Sequence, residues 1–168
     1  MEHFYDKACA IGVYEKALLV SILNLKKDPH LCKKLHKFLL DASENILFNG
    51  VSVIMPIPLS KERMLERGFN QAQILAKAMA KHLNVECDSS SLIRTKHSKV
   101  HRAGMDKKAR EMSVEKSFEL KRTKKLEGKE ILLIDDVLAS GATVSNCAKV
   151  LKNTGAKRVY VLTLARAR

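Results

Sequence analysis

The chain contains no tryptophan, only three prolines, and 5% aromatic residues among its 168. Without aromatic side chains interleaved among its charges, it offers no ready platform for stacking the bases of a single strand. Its four cysteines, at positions 9, 32, 87 and 147, form no CxxC pair. That spacing excludes zinc ribbons and thioredoxin-type redox sites, and unpaired thiols fit a reducing cytoplasm. Apolar runs such as Ala17–Val20 and Ile131–Ile134 fall far short of the roughly 20 residues of a membrane span. The opening Met-Glu-His-Phe-Tyr-Asp lacks the basic-then-apolar pattern of a signal peptide. No repeat and no low-complexity linker divides the chain, so the expectation is one domain over residues 1–168. That length buries roughly two-thirds of its unfolded surface without disulfide support.

Acidic residues are also scarce: 18 Asp and Glu against 31 Lys and Arg give a net charge of +13. The excess is uneven. Between Arg94 and Lys129 there are 13 basic and 5 acidic residues, a net +8. A segment of this kind is either a solvated lysine-rich loop or the counterpart of an anionic partner, a polyphosphate ligand or a nucleic acid.

Hydrophobic periodicity sets out the elements. The first forty-five residues read as helical: Tyr14, Leu18, Ile22 and Leu25 recur on one helical face. Asp28-Pro29 breaks that helix, the proline standing as first residue of a second one with Leu31, Leu35, Phe38 and Leu39 inward. His30, Cys32 and His36 are read as ordinary helix residues, because no matching ligand pair follows elsewhere. After Asn49-Gly50, the β-branched run Val51–Met55 predicts a buried strand, stopped by Pro56-Ile57-Pro58. Asn70–Leu83 predicts a third helix. Residues 94–118 have few large apolar side chains and no period, and read as a mobile basic loop. Ser117–Leu120 reads as a short strand. Ile131–Ile134, a helix from Thr143 to Gly155 and the run Arg158–Leu164 then make a βαβ unit around a parallel sheet, with Cys147 as a core thiol.

Chemistry concentrates where that unit begins. Asp135 and Asp136 follow the apolar run, at the strand end where ligands sit in open α/β sheets. Ala139-Ser140-Gly141-Ala142-Thr143 comes next. Its small side chains let backbone N–H groups approach an anion, and the helix N-terminus adds partial positive charge. Taken singly, the aspartates could start a loop or ligate a metal, and the turn could be an ordinary helix cap. Together they suit a sugar phosphate, with the phosphate in the cradle and the carboxylates accepting from ribose hydroxyls. The GxxxxGK[ST] of a P-loop and the GxGxxG of a dinucleotide site are both missing.

The thirteen residues from Ile131 to Thr143 resemble the signature of the type I phosphoribosyltransferases. Pro56-Ile-Pro58-Leu59 with Glu66-Arg67-Gly68-Phe69-Asn70-Gln71 is similar to the "PxPL…RGFNQ" block of ComF-family proteins. Leu25-Lys26, Leu92-Ile-Arg94-Thr95, Arg110, Phe118 and Leu164-Ala165-Arg166 match further parts of the same family. The resemblance implies an α/β fold, a Rossmann-like parallel sheet with a small hood and N-terminal helices. It implies binding of 5-phosphoribosyl-1-pyrophosphate with Mg2+, the ion held mainly through the ligand with help from Asp135 and Asp136. These two would bind the ribose hydroxyls and serve catalysis, and residues Ala139, Ser140, Gly141, Ala142 and Thr143 would cradle the 5-phosphate. Arg67, Asn70, Arg94 and Arg110 would face the pyrophosphate or close over it. The chain departs from the family at Ala139-Ser140, where Thr-Thr is common, and at His101 and Ser113. The family's N-terminal four-cysteine zinc module has no counterpart in these residues, so no protein zinc site is expected. Two functions stay open: phosphoribosyl transfer to a nitrogen acceptor, or a non-catalytic competence factor in DNA uptake that contacts single-stranded DNA or a helicase. A homo-oligomer is compatible with either.

Overall fold

The computed structural model describes residues 3–45, 50–95, 117–121 and 126–167. Five strands form one sheet, in the order β1-β7-β6-β2-β3, every neighbouring pair parallel. They are β1 (Lys7–Val13), β2 (Val51–Pro56), β3 (Glu86–Cys87), β6 (Glu130–Leu138) and β7 (Arg158–Arg166). A separate antiparallel pair joins β4 (Leu92–Arg94) to β5 (Phe118–Leu120), with Arg94 opposite Phe118. The helices are α1 (Lys16–Leu25), α2 (Lys33–Asn45), α3 (Lys61–Arg67), α4 (Gln71–Leu83) and α5 (Ala142–Asn153).

Both faces of a parallel sheet must be covered, so its central strands are apolar throughout. In β6 the alternation is visible residue by residue. Leu132 and Ile134 pack with Leu75, Ala76 and Met79 of α4 and with Ile22 and Leu25 of α1. Ile131 and Leu133 pack with Cys147, Ala148 and Leu151 of α5 and with Phe118 and Leu92 of the small pair. The expected β2, the helix over 71–83, the βαβ unit and the buried Cys147 are all present.

Three sequence readings need correction. The N-terminal segment is not helical throughout, because Lys7–Val13 is a strand paired in parallel with β7. Tyr14 therefore lies ahead of α1, its N–H donating to the Arg166 carbonyl at 2.9 Å. Pro29 does not begin the second helix, which starts four residues later at Lys33. Pro56 does not end the ladder before itself: it is the last residue of β2, opposite Ile134. Most of the basic loop, residues 96–116, including Arg110, His101 and Ser113, lies outside the described residues.

Chain order explains where a ligand can enter. From β2 the chain moves outward through α3 and α4 to β3, whereas from β6 it moves the opposite way through α5 to β7. β2 and β6 are neighbours, so the reversal leaves a crevice at their C-terminal ends. β2 stops pairing at Ile134, while β6 runs on against β7 as far as Leu138. Asp135 and Asp136 therefore lie within β6, not beyond it, at the point where one side of the strand is no longer paired.

Candidate functional site at the β2–β6 crevice

Adjacent residues of a strand point to opposite faces, and this divides the two carboxylates. Asp135 joins Ala139, Ser140, Gly141 and Thr143 around a small cavity of about 70 Å3 at the start of α5. Asp136 turns to the α1 and α4 side, where its Oδ2 accepts from Gln71 Nε2 at 3.2 Å and pairs with Lys26 Nζ at 2.9 Å. Its side chain is only 8% exposed, so an unpaired charge there would be costly.

Asp135 is tied differently. Its Oδ1 accepts the backbone N–H of Asp136 at 2.8 Å. Loss of hydration, and then the neighbouring Asp136 charge, push its pKa from 3.8 up to about 8. Two carboxylates this close favour a single negative charge between them. Burial, and then the Asp135 charge, push the Cys147 thiol on α5 well above its ordinary value, so it stays protonated and unreactive.

The cradle is built from backbone. Gly141 caps α5 in the left-handed region at φ 76°, and its carbonyl accepts from Ser145 N at 2.9 Å. A non-glycine residue is strained at that φ, which accounts for the glycine in the motif. Ser140 Oγ accepts from Ala142 N at 3.4 Å, and Ala142 is the first residue of α5. The first-turn N–H groups of a helix have no intrahelical partner, and Gly141, Thr143 and Val144 at this helix start line the cavity together with Asp135.

Across the crevice lies a larger cavity of about 500 Å3 between the end of β2 and the β4–β5 pair. Lys61, Arg94 and Lys121 line it together with Pro58, Asn70 and Gln73, and no acidic residue among the described residues does. Arg94 sits over the Phe118 ring, 5.3 Å from its centroid, and its buried Nε has no partner among the described residues. Burial, and then the nearby Arg63 charge, lower its pKa. Both signs mean that an anion entering this cavity would meet an under-solvated cation.

Two residues expected at the pyrophosphate turn out to have committed side chains. Asn70 is buried, its Oδ1 accepting from Ala72 N at 3.0 Å and its Nδ2 donating to the Ile57 carbonyl at 3.0 Å. It fixes the turn after β2 against the start of α4. Arg67, at the end of α3, donates to Gln71 Oε1, and Gln71 in turn donates to Asp136. Lys26, Gln71, Lys61 and Lys121 are site residues that sequence reasoning did not single out. Gln71 stood inside the RGFNQ block, Lys26 within the Leu25-Lys26 match and Lys61 in the turn from Pro58 to Arg67 that the resemblance turned toward the pyrophosphate, but none was given a role, and nothing local marked Lys121. Among the described residues no three His, Cys, Asp or Glu converge as a metal cage, and no helix is long and apolar enough to cross a membrane.

Comparison with known proteins agrees with this architecture. The pattern of the phosphoribosyl transferase domain matches residues 64–168. Competence protein F of Haemophilus influenzae is 29% identical over 173 residues, covering 99% of this chain and 75% of that protein. Competence protein ComFC of Bacillus subtilis is 39% identical over 116 residues, 68% of this chain but 45% of that protein. A solved structure of the allosteric regulatory enzyme of purine biosynthesis superposes with a TM-score of 0.52 at 18% identity, over 75% of this chain and 24% of that one. That likeness concerns the fold. The chain thus spans three quarters of one curated relative and under half of another. With the matched domain occupying more than half of its length, the chain belongs to the phosphoribosyl transferase domain family and is a ComF-type protein with the type I phosphoribosyltransferase fold.

Proposed function

We propose that the crevice binds 5-phosphoribosyl-1-pyrophosphate with Mg2+ and transfers the phosphoribosyl group to a nitrogen acceptor. The observation that carries this reading is the pairing of the β6 carboxylates with a left-handed glycine cradle at the reversal of strand order. The 5-phosphate would sit at the first turn of α5, held by the N–H groups of residues 140–143 and the hydroxyls of Ser140 and Thr143. Ribose hydroxyls would donate to Asp135 and Asp136. The pyrophosphate would lie toward the cavity lined by Lys61, Arg94 and Lys121, with Arg110 closing from the basic loop. Arg67 and Asn70 would shape that side of the site, Arg67 through Gln71 and Asn70 through the turn.

In the reaction a new bond forms from acceptor nitrogen to ribose C1, and the C1–O bond to pyrophosphate breaks with its electron pair leaving on oxygen. The acceptor's N–H proton is released. Positive charge grows on the sugar while negative charge grows on the leaving group, so a carboxylate beneath one and cations around the other stabilise both. The site fits Mg2+ in the way phosphate sites commonly do. Two carboxyl groups are available but no cage among the described residues, so the ion would be held chiefly by the ligand's own oxygens and would neutralise the pyrophosphate.

A second reading rests on the names of the relatives, both competence proteins, and on the +8 charge of the segment from Arg94 to Lys129. Under it the same fold senses its ligand and contacts single-stranded DNA or a helicase. In both readings the protein works in the cytoplasm, consistent with its four free thiols.

Calorimetry with 5-phosphoribosyl-1-pyrophosphate, with and without Mg2+, on the wild-type chain and Asp136→Asn tests the ligand site on which both readings depend. Mg2+-dependent binding that falls at least about tenfold in the variant is expected, because an amide carries no charge to pair with Lys26 and its single oxygen can accept from Lys26 and Gln71 or from the ribose, not both. No binding by wild type would refute both the transferase reading and ligand sensing, and leave contact with DNA or a protein partner in front.

A further inference from the structure

Lys26 stands 38 residues ahead of the matched domain, which begins at residue 64, yet it makes the closest ionic contact to the crevice. It is the C-cap residue of α1, with its backbone N–H donating to the Ile22 carbonyl and the next N–H, of Lys27, to the Asn24 carbonyl. From there Nζ reaches Asp136 Oδ2 at 2.9 Å across 110 residues of sequence. Ile22 and Leu25, the two buried residues of α1, pack against Leu132 and Ile134 of β6. That packing fixes the end of α1 next to the site.

The pattern on Asp136 is one-sided. Lys26 and Gln71 converge on the same oxygen, Oδ2, and Gln71 is itself held by Arg67 at the end of α3. Neither Lys26 nor Gln71 engages the other oxygen, Oδ1, and the Asp135 carboxyl also lies within hydrogen-bonding reach of the Asp136 side chain. A pair that served only to neutralise a buried carboxylate could be placed between both oxygens. This one clamps the group by one oxygen, from two helices.

We propose that Lys26 is a positioning residue of the ligand site: with Gln71 it holds Asp136 by Oδ2, so that Oδ1 is presented to a sugar hydroxyl. The N-terminal helical segment is then part of the binding machinery and not a covering of the sheet. This inference rests on the sugar-phosphate reading above. Other charged or titratable groups near the pair are Asp135 on β6, Arg67 on α3, and Arg94 and Cys147 on the opposite face. Asp135 comes close enough to hydrogen-bond the Asp136 side chain, and Lys26 is the cation that pairs with it among the described residues.

The test is calorimetry with 5-phosphoribosyl-1-pyrophosphate and Mg2+ on Lys26→Met and Lys26→Arg, each checked for folding by circular dichroism. Lys26→Met is expected to weaken binding about tenfold, since removing one partner of a largely buried pair leaves the other misplaced. Lys26→Arg keeps the charge and a donor, and is expected to bind within about threefold of wild type. Lys26 is 28% exposed, so a small amine can enter the vacated space. Ethylammonium chloride should restore part of the Lys26→Met affinity, whereas tetramethylammonium chloride, which has no N–H, should not. Should Lys26→Met not fold, Lys26→Gln replaces it with the same expectation. Unchanged binding by the neutral variant overturns the inference. So does equal loss in the neutral and arginine variants with no recovery by amine, which would make Lys26 a packing residue only. If the wild-type chain itself binds nothing, the functional reading fails first and this inference with it.

Discussion

Gly141 is the point at which backbone geometry, cradle and proposed ligand meet, and two substitutions separate their contributions. At φ 76° a side chain costs roughly 1–2 kcal/mol through backbone strain alone. Steric crowding adds less. A Cβ there would meet His3 Cε1 at 3.3 Å and the Tyr5 hydroxyl at 3.5 Å; the His3 and Tyr5 rings stack on each other with centroids 4.9 Å apart. These are side-chain ends near the N-terminus, which yield by a few tenths of an ångström. Strain therefore decides the stability effect, and Gly141→Ala should lower the melting temperature by about 2–8 °C for a domain of this size. Gly141→Val should lose more, because β-branching makes the left-handed region worse. Ligand affinity should fall further than stability does, since a methyl group intrudes where backbone N–H groups must approach a phosphate. Thermal unfolding and calorimetry on the same preparations measure the two effects. An alanine variant that melts with wild type refutes the left-handed assignment. One that melts lower yet binds 5-phosphoribosyl-1-pyrophosphate normally refutes the cradle.

Two other predictions use charge. Asp135 has a folded pKa raised from 3.8 to about 8, so the ligand-free folded state holds its proton more tightly than the unfolded chain. Its contribution to stability is complete below about pH 4 and is lost as pH rises toward 8. Asp135→Asn removes that dependence, so urea unfolding across this range should show the variant gaining on wild type as pH rises; parallel curves would refute the raised pKa. In the basic segment, neutralising Lys107, Lys108 and Arg110 together should weaken single-stranded DNA binding and reduce its salt slope by about 2, at ~0.7 for each phosphate left without a cation. A salt slope equal to wild type would place any DNA surface elsewhere.

Legibility in the sequence followed how local each determinant was. The β6 strand, the aspartate pair and the small-residue turn lie within thirteen consecutive residues, so a short apolar run and a change of period were enough to find them. The α4 helix was legible for the same reason: Ala72, Leu75, Ala76 and Met79 repeat at helical spacing and are all buried. β1 was hidden because Lys-Ala-Cys-Ala-Ile-Gly-Val has no polar alternation, and its partner β7 lies some 150 residues away. Its neighbour Tyr14 happens to stand at helical spacing from Leu18 and carried the helical reading too far back. Asp28-Pro29 correctly ended α1, but Pro29 is followed by three residues of irregular chain before α2. The division of the carboxylates between two faces was implicit in their adjacency on a strand. It became visible only when β6 proved to extend past Ile134.

The contacts that matter most to the site are those no local pattern could show. Lys26, Arg67, Gln71 and Asp136 come from α1, α3, α4 and β6, and they meet because strand order reverses between β2 and β6. The same reversal puts the α5 cradle on one side and the cationic cavity on the other, with Asp135 between them. Each carboxylate is therefore governed by a different face of the sheet: Asp136 by a lysine and an amide that fix it, Asp135 by lost hydration and its charged neighbour. This asymmetry distinguishes the pair functionally. Substituting Asp136 should disturb orientation at every pH, whereas substituting Asp135 should act through the proton it carries. If the two asparagine variants proved indistinguishable in both affinity and pH dependence, the separation of the two faces would have no functional meaning, and the carboxylates would have to act as one unit.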